Sequence, residues 1–524
     1  MSIKTMTDTQ AITRRASHVG LLTMGSRVLG LIRDAVVAYV FGTRMAADAF
    51  YVAFRIPNLL RRLLAEGSLT FAFVPVFTQY LRKSPEEGRR AANAVFSALC
   101  LLLVGVVALG VIGAPFIVRA VAAGFADDPE KLALTVKLTR IMFPYIGMAS
   151  IMAFMMGMLN SMKHFTAPAA APMLLNIGII TGALGLSHLF PEMTVGLALG
   201  VLLGGAMQMA VQVPPLHKLG FIPQFKPDWK HPAIREVWRM MLPSVYGSAV
   251  YQLNVLVITL LASFLPSGSV SYLWYADRIT ELPLGVFAVA IATAILPTLS
   301  DHAADKKIDQ FIETFRHGLR VAMLEAIPSA VGIILLATPI VQLLFERGSF
   351  GPESVEGTVG ALIFFALGIP FISGVRNTVP AYYALKDAKT PVKVATVALF
   401  VNAAFAGILM RFMAHRGLAL AMALSSATNF IILVYMLRKK LGRLGLKDLG
   451  ATVRTSLIAC TIMAAWLLAA RWWLALHPIH GTLNRAAFLF PVIGVGLLIY
   501  MMSIKLISRN DYDILAQLLH RRKK

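Results

Sequence analysis

The segment NAVFSALCLLLVGVVALGVIGAPFIV (93–118) contains no charged residue over its whole length. As a helix rising 1.5 Å per residue it would be about 39 Å long, more than the roughly 30 Å hydrocarbon core of a bilayer. Comparable apolar runs recur along all 524 residues, of which 57% are apolar and 14% charged, whereas soluble proteins average about 25% charged residues. Spans of about 20 to 22 residues would place about 14 transmembrane helices in the chain. The sequence therefore predicts an all-α integral membrane protein.

This composition leaves almost no room for a soluble domain. The chain has no GxxxxGK[ST] phosphate-binding loop, which excludes an ATP-driven pump, and it lacks HExxH, GxSxG and CxxC motifs. Its two cysteines, Cys100 and Cys460, lie far apart in apolar runs, where a free thiol is usually a small packing residue. We expect a protein that is not an enzyme and has no catalytic residue, no cofactor and no metal site.

Lysine and arginine are distributed unequally between the two ends of the predicted helices. The chain carries 49 Lys and Arg against 26 Asp and Glu, a net charge of +23. About 32 of these cations fall on the side that holds the N-terminus and about ten on the opposite side. Cytoplasmic loops are the richer in Lys and Arg, so we expect both termini in the cytoplasm. The basic loops would face anionic lipid, and no nucleic-acid partner is expected.

The sequence also contains an internal repeat. A shift of 222 residues aligns Gly25-Ser26 with Gly247-Ser248, and Pro75 with Pro297. The shift covers an even number of predicted helices, so both halves have the same orientation, as in parallel-repeat transporters with a central cavity. We predict four parts: a six-helix N-lobe (1–216), a cytoplasmic linker at the membrane surface (217–238), a six-helix C-lobe (239–440), and two extra helices with a basic tail (441–524).

Glycine and proline predict local helix geometry at a few positions. Gly196, Gly200 and Gly204 recur every fourth residue in the sixth predicted helix, a spacing typical of close helix packing. Pro57 and Pro283 lie in the charged helices of the two halves. They are expected to bend those helices and to open backbone groups toward the cavity.

Charged residues interrupt the predicted helices themselves. Each charge at the bilayer centre costs about 2.5 to 3.5 kcal/mol, so these side chains should face a hydrated interior or one another. They are Arg27, Arg33, Asp34, Asp48, Arg55, Arg61, Arg62, Glu66, Asp277, Arg278, Glu281 and Arg376.

Helical spacing predicts which of these charges share a face. Arg55, Asn58, Arg62 and Glu66 form one stripe, on which Arg62 and Glu66 are four residues apart and able to pair. Arg61 lies about 100° off this stripe. Two further pairs share a face: Arg27 with Asp34, and Asp277 with Glu281.

Counted together, the first, second and eighth predicted helices contain six arginines and five acidic residues from this set, and lysine is absent from them. Guanidinium groups stay protonated and present a planar fork to two oxygens of a phosphate. A net positive cavity therefore favours a phosphate-bearing anion over a cation as cargo. The alternative for Arg55 and Arg62 is that each neutralises a nearby carboxylate and holds helices together.

Three segments carry a resemblance to a known family: GSRVLGLIRDAVVAYVFG (25–42), ADAFYVAFRIPNLLRRLLAEGSLTFAFVP (47–75) and SGSVSYLWYADRITELPLGV (267–286). They resemble the MurJ (MviN) family of lipid II flippases in the MOP superfamily, and the similarity extends over about residues 15 to 505. It implies 14 helices, with the last two bordering a groove for the polyprenyl tail. It also implies a multi-pass protein of the bacterial inner membrane that moves lipid II to the periplasmic leaflet for peptidoglycan synthesis.

The resemblance further implies site residues, matched motif by motif. The pyrophosphate-binding arginines fall on Arg27, Arg33, Arg61 and Arg278. Supporting or gating residues, from the motifs and from the spacing above, are Ser26, Asp34, Asp48, Asn58, Arg62, Glu66, Asp277 and Glu281. Lipid II and membrane lipids are the expected partners, with other cell-wall synthesis proteins as a further expectation.

Several alternatives stay open from the sequence. A related MOP member could move another lipid-linked oligosaccharide, a drug exporter would favour an acidic, aromatic-lined cavity, and a membrane enzyme could act on lipid pyrophosphates. Without an ATP site, the energy for transport is expected from the membrane potential, a monovalent cation gradient or product removal.

Overall fold

Helices form nearly all of the chain, and residues 8–63 and 69–520, which this computed structural model describes, contain no strand. Contacts divide the chain into two compact units, Met1–Ser267 and Gly268–Lys524. Unit 1 contains α1 (Asp8–Phe41), α2 (Met45–Arg61), α3 (Thr70–Lys83), α4 (Pro85–Val121), α5 (Pro129–Met142), α6 (Tyr145–Ser161), α7 (Thr166–Leu184), α8 (Met193–Ala210), α9 (Val213–Lys218) and α10 (Pro232–Ser263).

Unit 2 begins with α11 (Ser269–Pro283) and ends with a short helix beyond the last long apolar one. Its other helices are α12 (Val289–Ala304), α13 (Ile308–Leu335), α14 (Ala337–Phe345), α15 (Pro352–Ala384), α16 (Lys389–Leu441), α17 (Leu446–Leu476), α18 (Thr482–Ile507) and α19 (Arg509–His520). Within α16 the backbone bends sharply at Ala414, where φ is 48° and ψ is −131°. The sequence predicts two helices here, on either side of that residue.

Helix starts follow from capping residues placed just before a proline. Ser84 accepts a hydrogen bond from the Glu87 amide at the start of α4, and Asp128 accepts one from the Lys131 amide at the start of α5. In each case proline occupies the first helical position, where its missing N–H has no partner to lose.

The core of each unit consists of apolar and aromatic side chains between long helices. In unit 1, Phe73 and Phe154 are fully buried with ring centroids 4.4 Å apart, where α3 packs on α6. In unit 2, α13 packs against α15 and α17 around the buried Phe315 and Tyr500. The charged helices pack on members of these bundles: α1 contacts α7, α2 contacts α5 and α6, and α11 contacts α15.

Close packing of α7 on α8 confirms the prediction from the glycine spacing. A Cβ added at Gly200 would lie 2.7 Å from the Cα of Gly182, and one at Gly178 would lie 2.4 Å from the Cα of Gly204. Real side-chain carbons do not approach backbone this closely, so only glycine permits the contact. The charged helix α1 also packs on α7, next to this closely packed pair.

Local structure repeats between the two units at matching positions. A π-helical turn follows α2 at residues 62–63, and another, Leu284–Ala288, follows α11 at the position 222 residues later. Lys163 after α6 and Lys386 after α15 both have positive φ, 61° and 57°. Each ends its helix with the same backbone hydrogen bonds, for example His164 N–H to Leu159 O. The two halves of the sequence thus fold alike locally.

Nine helical stretches among the described residues are long and apolar enough to cross a membrane. This confirms an all-α integral membrane protein, while the number of 14 spans stays a prediction. The lobe boundaries also stay a prediction. Contacts place α10 in unit 1, where it packs on α3 and α4, although the repeat assigns most of it to the C-lobe.

Candidate functional site: charged side chains on the apolar helices

Arg33 and Asp34 on α1 form a tight ion pair. Arg33 Nε and Nη2 donate to Asp34 Oδ1 at 3.0 and 2.7 Å, and Nη1 donates to Asn176 Oδ1 of α7 at 3.0 Å. The two side chains are 13% and 3% exposed. Asn176 in turn donates from Nδ2 to the carbonyl of Ser26 at 3.2 Å. The amide thereby fixes both the Arg33 fork and the backbone of α1 one residue before Arg27.

Arg27 differs from Arg33 although both lie on α1. It is exposed, and it makes no hydrogen bond or ion pair with any residue in the described ranges. Its neighbours Met24 and Val28 are also more than half exposed. An unneutralised guanidinium on an apolar surface is the arrangement that binds an anion.

Asp48 at the start of α2 is held by a lysine that the sequence did not single out. Lys131 Nζ of α5 lies 3.0 Å from Asp48 Oδ2, with side-chain exposures of 5% and 1%. Lys131 also donates to Ser267 Oγ at 3.2 Å and lies 4.2 Å from the centroid of the Phe125 ring. Asp48 is therefore a structural anchor for α5 and for the last residue of unit 1. No local spacing signals this pair, because 83 residues separate its members.

The stripe predicted along α2 is realised in part. Arg61 lies off the predicted stripe, but its Nε donates to Oδ1 of Asn58, which lies on the stripe, at 3.0 Å. Arg55 donates to the hydroxyl of Thr259 on α10, and this hydrogen bond ties α2 to a neighbouring helix. Arg62 is half-buried, and Glu66, with its predicted pairing to Arg62, lies outside the described residues.

In unit 2 the predicted residues cluster around the end of α11. The guanidinium of Arg278 stacks 4.6 Å from the Trp274 ring centroid, one helical turn earlier. Glu281 accepts a hydrogen bond at 2.9 Å from Nη2 of Arg376 on α15. Arg376 also donates to the carbonyl of Leu284, at the first residue of the π-helical turn. Asp277, one turn before Glu281, is half-buried.

Three carboxylates on α1, α2 and α11 form ion pairs with particular cations. Asp34, Asp48 and Glu281 bind Arg33, Lys131 and Arg376. Two of these cations, Lys131 and Arg376, are absent from the predicted phosphate-binding set. Arg27 makes no ion pair with any residue that the structure describes, and a guanidinium of this kind can recognise an anion.

Comparison with known proteins identifies the family. The family model for lipid II flippase MurJ matches residues 37–492. A probable lipid II flippase MurJ of Vibrio cholerae serotype O1 is 36% identical over 519 residues, which cover 95% of this chain and 96% of that protein. The chain belongs to the MurJ family. The lipid II flippase MurJ of Burkholderia cenocepacia is also 36% identical, over 80% of this chain and 82% of its own.

Solved structures agree with the MurJ assignment. A lipid II flippase MurJ in an inward closed conformation aligns with a TM-score of 0.78 at 28% identity, covering 94% of this chain and 99% of the other. An inward-facing multidrug MATE transporter of the MOP superfamily aligns with a TM-score of 0.68 at 15% identity. That second likeness concerns the fold alone. Members of the MurJ family are transporters rather than enzymes or ATPases, and this chain is a multi-pass protein of the inner membrane.

Proposed function

We propose that this protein moves lipid II from the cytoplasmic to the periplasmic leaflet by alternating access, for peptidoglycan synthesis. Family membership supports lipid II over another lipid-linked oligosaccharide, since the curated relatives carry that function in their names. The observation that carries the proposal is the exposed guanidinium of Arg27 on a helix where the buried carboxylate of Asp34 binds Arg33. Such a group attracts a diphosphate headgroup.

Arg27, Arg33, Arg61 and Arg278 are the proposed pyrophosphate ligands. The structure supports different roles for them. Arg27 is available without any exchange of partners, whereas Arg33 is aligned by Asp34 and Asn176. The Arg61 guanidinium contacts the Asn58 amide, and the Arg278 guanidinium stacks on the Trp274 ring, and each of these contacts helps to orient its guanidinium.

The remaining predicted residues act as supports in this proposal. Ser26 and Asp34 position α1, while Asp48 and Glu281 anchor their helices through Lys131 and Arg376. Asn58, Arg62, Glu66 and Asp277 complete the set from the sequence. Both termini are proposed to lie in the cytoplasm. No cofactor is proposed, and the membrane potential or a monovalent cation gradient supplies the energy; one charge moved through 100 mV is worth about 2.3 kcal/mol.

The test is lipid II translocation by purified protein in vesicles. Arg27→Ala, Arg61→Ala and Arg278→Ala are each expected to abolish it, because each removes a guanidinium that is proposed to bind the pyrophosphate. Arg27→Lys is expected to keep part of the activity, because it preserves the charge and loses the planar fork. Arg471→Ala is the matched control, since Arg471 is exposed on an apolar helix far from these motifs.

Wild-type transport by all three alanine variants would contradict the role of the arginines. Phosphate release from lipid II by the purified protein would contradict a flippase and indicate a membrane enzyme. Competition by other lipid-linked oligosaccharides at equal concentration would contradict the choice of lipid II as substrate.

A further inference from the structure

A second basic site lies in unit 1 on helices that carry none of the proposed pyrophosphate ligands. A cavity of about 600 Å³ opens between the end of α4 and α5, within the size range of small-molecule sites. Three cations line this α4–α5 cavity: Arg119, Lys137 and Arg140. The rest of its lining is apolar, from Pro115, Pro129, Leu132, Ala133, Val136 and Ile141.

The charges of the α4–α5 cavity are only partly neutralised. Lys137 Nζ pairs with Glu192 Oε2 at 2.7 Å. Arg140 Nε donates to the carbonyl of Val111 at 3.3 Å, which leaves its charge uncompensated. Arg119 makes no hydrogen bond or ion pair with any residue that the structure describes. Two guanidinium groups thus remain for an anion from outside the chain.

An apolar stripe leads directly to this cavity. Leu109, Ile112 and Phe116 of α4 are 73%, 74% and 75% exposed. With Arg119 they are spaced i, i+3, i+7 and i+10, which places all four on one helix face. Only 22% of the most apolar stretch of α4 is buried, so this face is available to lipid acyl chains.

The position of these cations is unusual for a membrane protein. In the predicted topology, α4 ends on the side opposite the termini, where Lys and Arg are scarce. Arg119, Lys137 and Arg140 nevertheless gather there around one cavity. The positive-inside distribution of Lys and Arg does not account for this cluster, because the cluster lies on the side where these residues are scarce. Basic pockets between transmembrane helices are a known form of headgroup site.

We propose that the α4–α5 cavity binds the phosphate of an anionic phospholipid in the outer leaflet. Arg119 and Arg140 contact the phosphate, and the acyl chains lie along Leu109, Ile112 and Phe116. A phospholipid fits better than lipid II, because the proposed pyrophosphate ligands lie on α1, α2 and α11 and none of them lines this cavity. The assignment to the outer leaflet rests on the topology proposed above.

Native mass spectrometry of the purified protein, titrated with phosphatidylglycerol or phosphatidylcholine, tests this site. Each headgroup cation contributes roughly fivefold to the affinity for anionic lipid. The double variant Arg119→Gln/Arg140→Gln should therefore bind phosphatidylglycerol roughly 30-fold more weakly at its tightest site. Arg411→Gln/Arg471→Gln is the matched control, because both of these arginines are exposed and lie outside the cavity. It should keep the wild-type affinity.

Three results would overturn the proposal. The Arg119/Arg140 variant could bind phosphatidylglycerol like the wild type, the control could lose as much affinity, or phosphatidylcholine could bind as tightly as phosphatidylglycerol. A lipid II titration separates the two phosphate sources: lipid II binding that depends on Arg119 and Arg140 would assign the cavity to the exported substrate instead. Lipid II transport itself should be unchanged in the double variant, so a failure here is distinguishable from failure of the flippase proposal.

Discussion

The buried pair between Asp48 and Lys131 makes a quantitative prediction about stability. Replacing Lys131 by methionine keeps an apolar stem of similar length and leaves the Asp48 carboxylate buried without its cation. Removing one partner of a buried pair costs about 3 to 5 kcal/mol. The side chains here are 1% and 5% exposed, so water can replace little of the lost interaction. The lost contacts to Ser267 and Phe125 act in the same direction. We expect Lys131→Met to lower the free energy of unfolding by about 4 kcal/mol.

A surface pair between the same helix, α5, and the residue before α8 supplies the control. Lys137 and Glu192 are closer than Asp48 and Lys131, at 2.7 Å, but their side chains are 52% and 50% exposed. Water and salt screen such a pair, which contributes about 0 to 1 kcal/mol. Lys137→Met should therefore change the free energy of unfolding by less than 1 kcal/mol. Burial rather than distance decides the difference between the two variants.

Equilibrium denaturation of the purified protein in detergent measures these changes, and a double-mutant cycle isolates the pair. Asp48→Asn in the Lys131→Met background removes the stranded charge and should recover about half of the loss. Equal effects of Lys131→Met and Lys137→Met would refute the reasoning. A double variant no more stable than Lys131→Met would refute it as well, because no buried charge would then have been stranded.

Two further predictions concern helix packing and pH. Gly200→Val places a branched side chain at a position where even an added Cβ would lie 2.7 Å from the Cα of Gly182. This variant should separate α7 from α8 and lower the thermal unfolding temperature. The control Gly407→Val, at a site where an added Cβ meets open space, should change the unfolding temperature little. Burial raises the pKa of Asp387, but hydrogen bonds from Lys440 and Thr390 outweigh this and lower the pKa to about 2. The stabilisation is therefore complete above the ordinary pKa near 3.8 and is lost as pH falls toward 2, so Asp387→Asn should lower stability at pH 7 and flatten the acid limb of a stability profile between pH 4 and 2.

The apolar pattern of the sequence predicts the long helices well, because a bilayer requires long uncharged segments. It misses the breaks within them. Residues 48–81 and 269–300 each read as one span, whereas the structure divides them at π-helical turns after Arg61 and Pro283. A π turn depends on how the freed carbonyls around a proline are satisfied by neighbouring helices, and this is a tertiary property.

The helix α5 illustrates a different limit. From the sequence, the start of this segment is interpreted as an outer loop before a span at 138–162, because it carries charges at Glu130, Lys131, Lys137 and Arg140. Asp128 followed by Pro129 is a local start signal that could have revealed it. The apolar pattern fails here because α5 buries a charged side chain, Lys131, against a carboxylate instead of presenting an apolar face.

Whether the sequence predicts a hydrogen-bond or ion-pair partner within the site depends on how far apart the two residues lie along the chain. Spacing places Arg61 near Asn58, three residues away, and the structure joins them. The partners of Asp48, Glu281 and Arg33 lie 83, 95 and 143 residues away, at Lys131, Arg376 and Asn176. Helical periodicity carries no information across such distances. The sequence can therefore count charges in the membrane without telling which of them neutralise one another.

That distinction separates the two arginines of α1. The resemblance predicts pyrophosphate binding for both, but Nε and Nη2 of Arg33, one edge that could bind two phosphate oxygens, already face Asp34. A diphosphate can use that edge only by displacing the carboxylate of Asp34, whereas the hydrogen bond from Nη1 to Asn176 uses a different nitrogen and can stay in place. Arg27 needs no such exchange. In the proposed flippase, Arg27 therefore contributes affinity from the first encounter, whereas binding at this edge of Arg33 has to be coupled to release of Asp34.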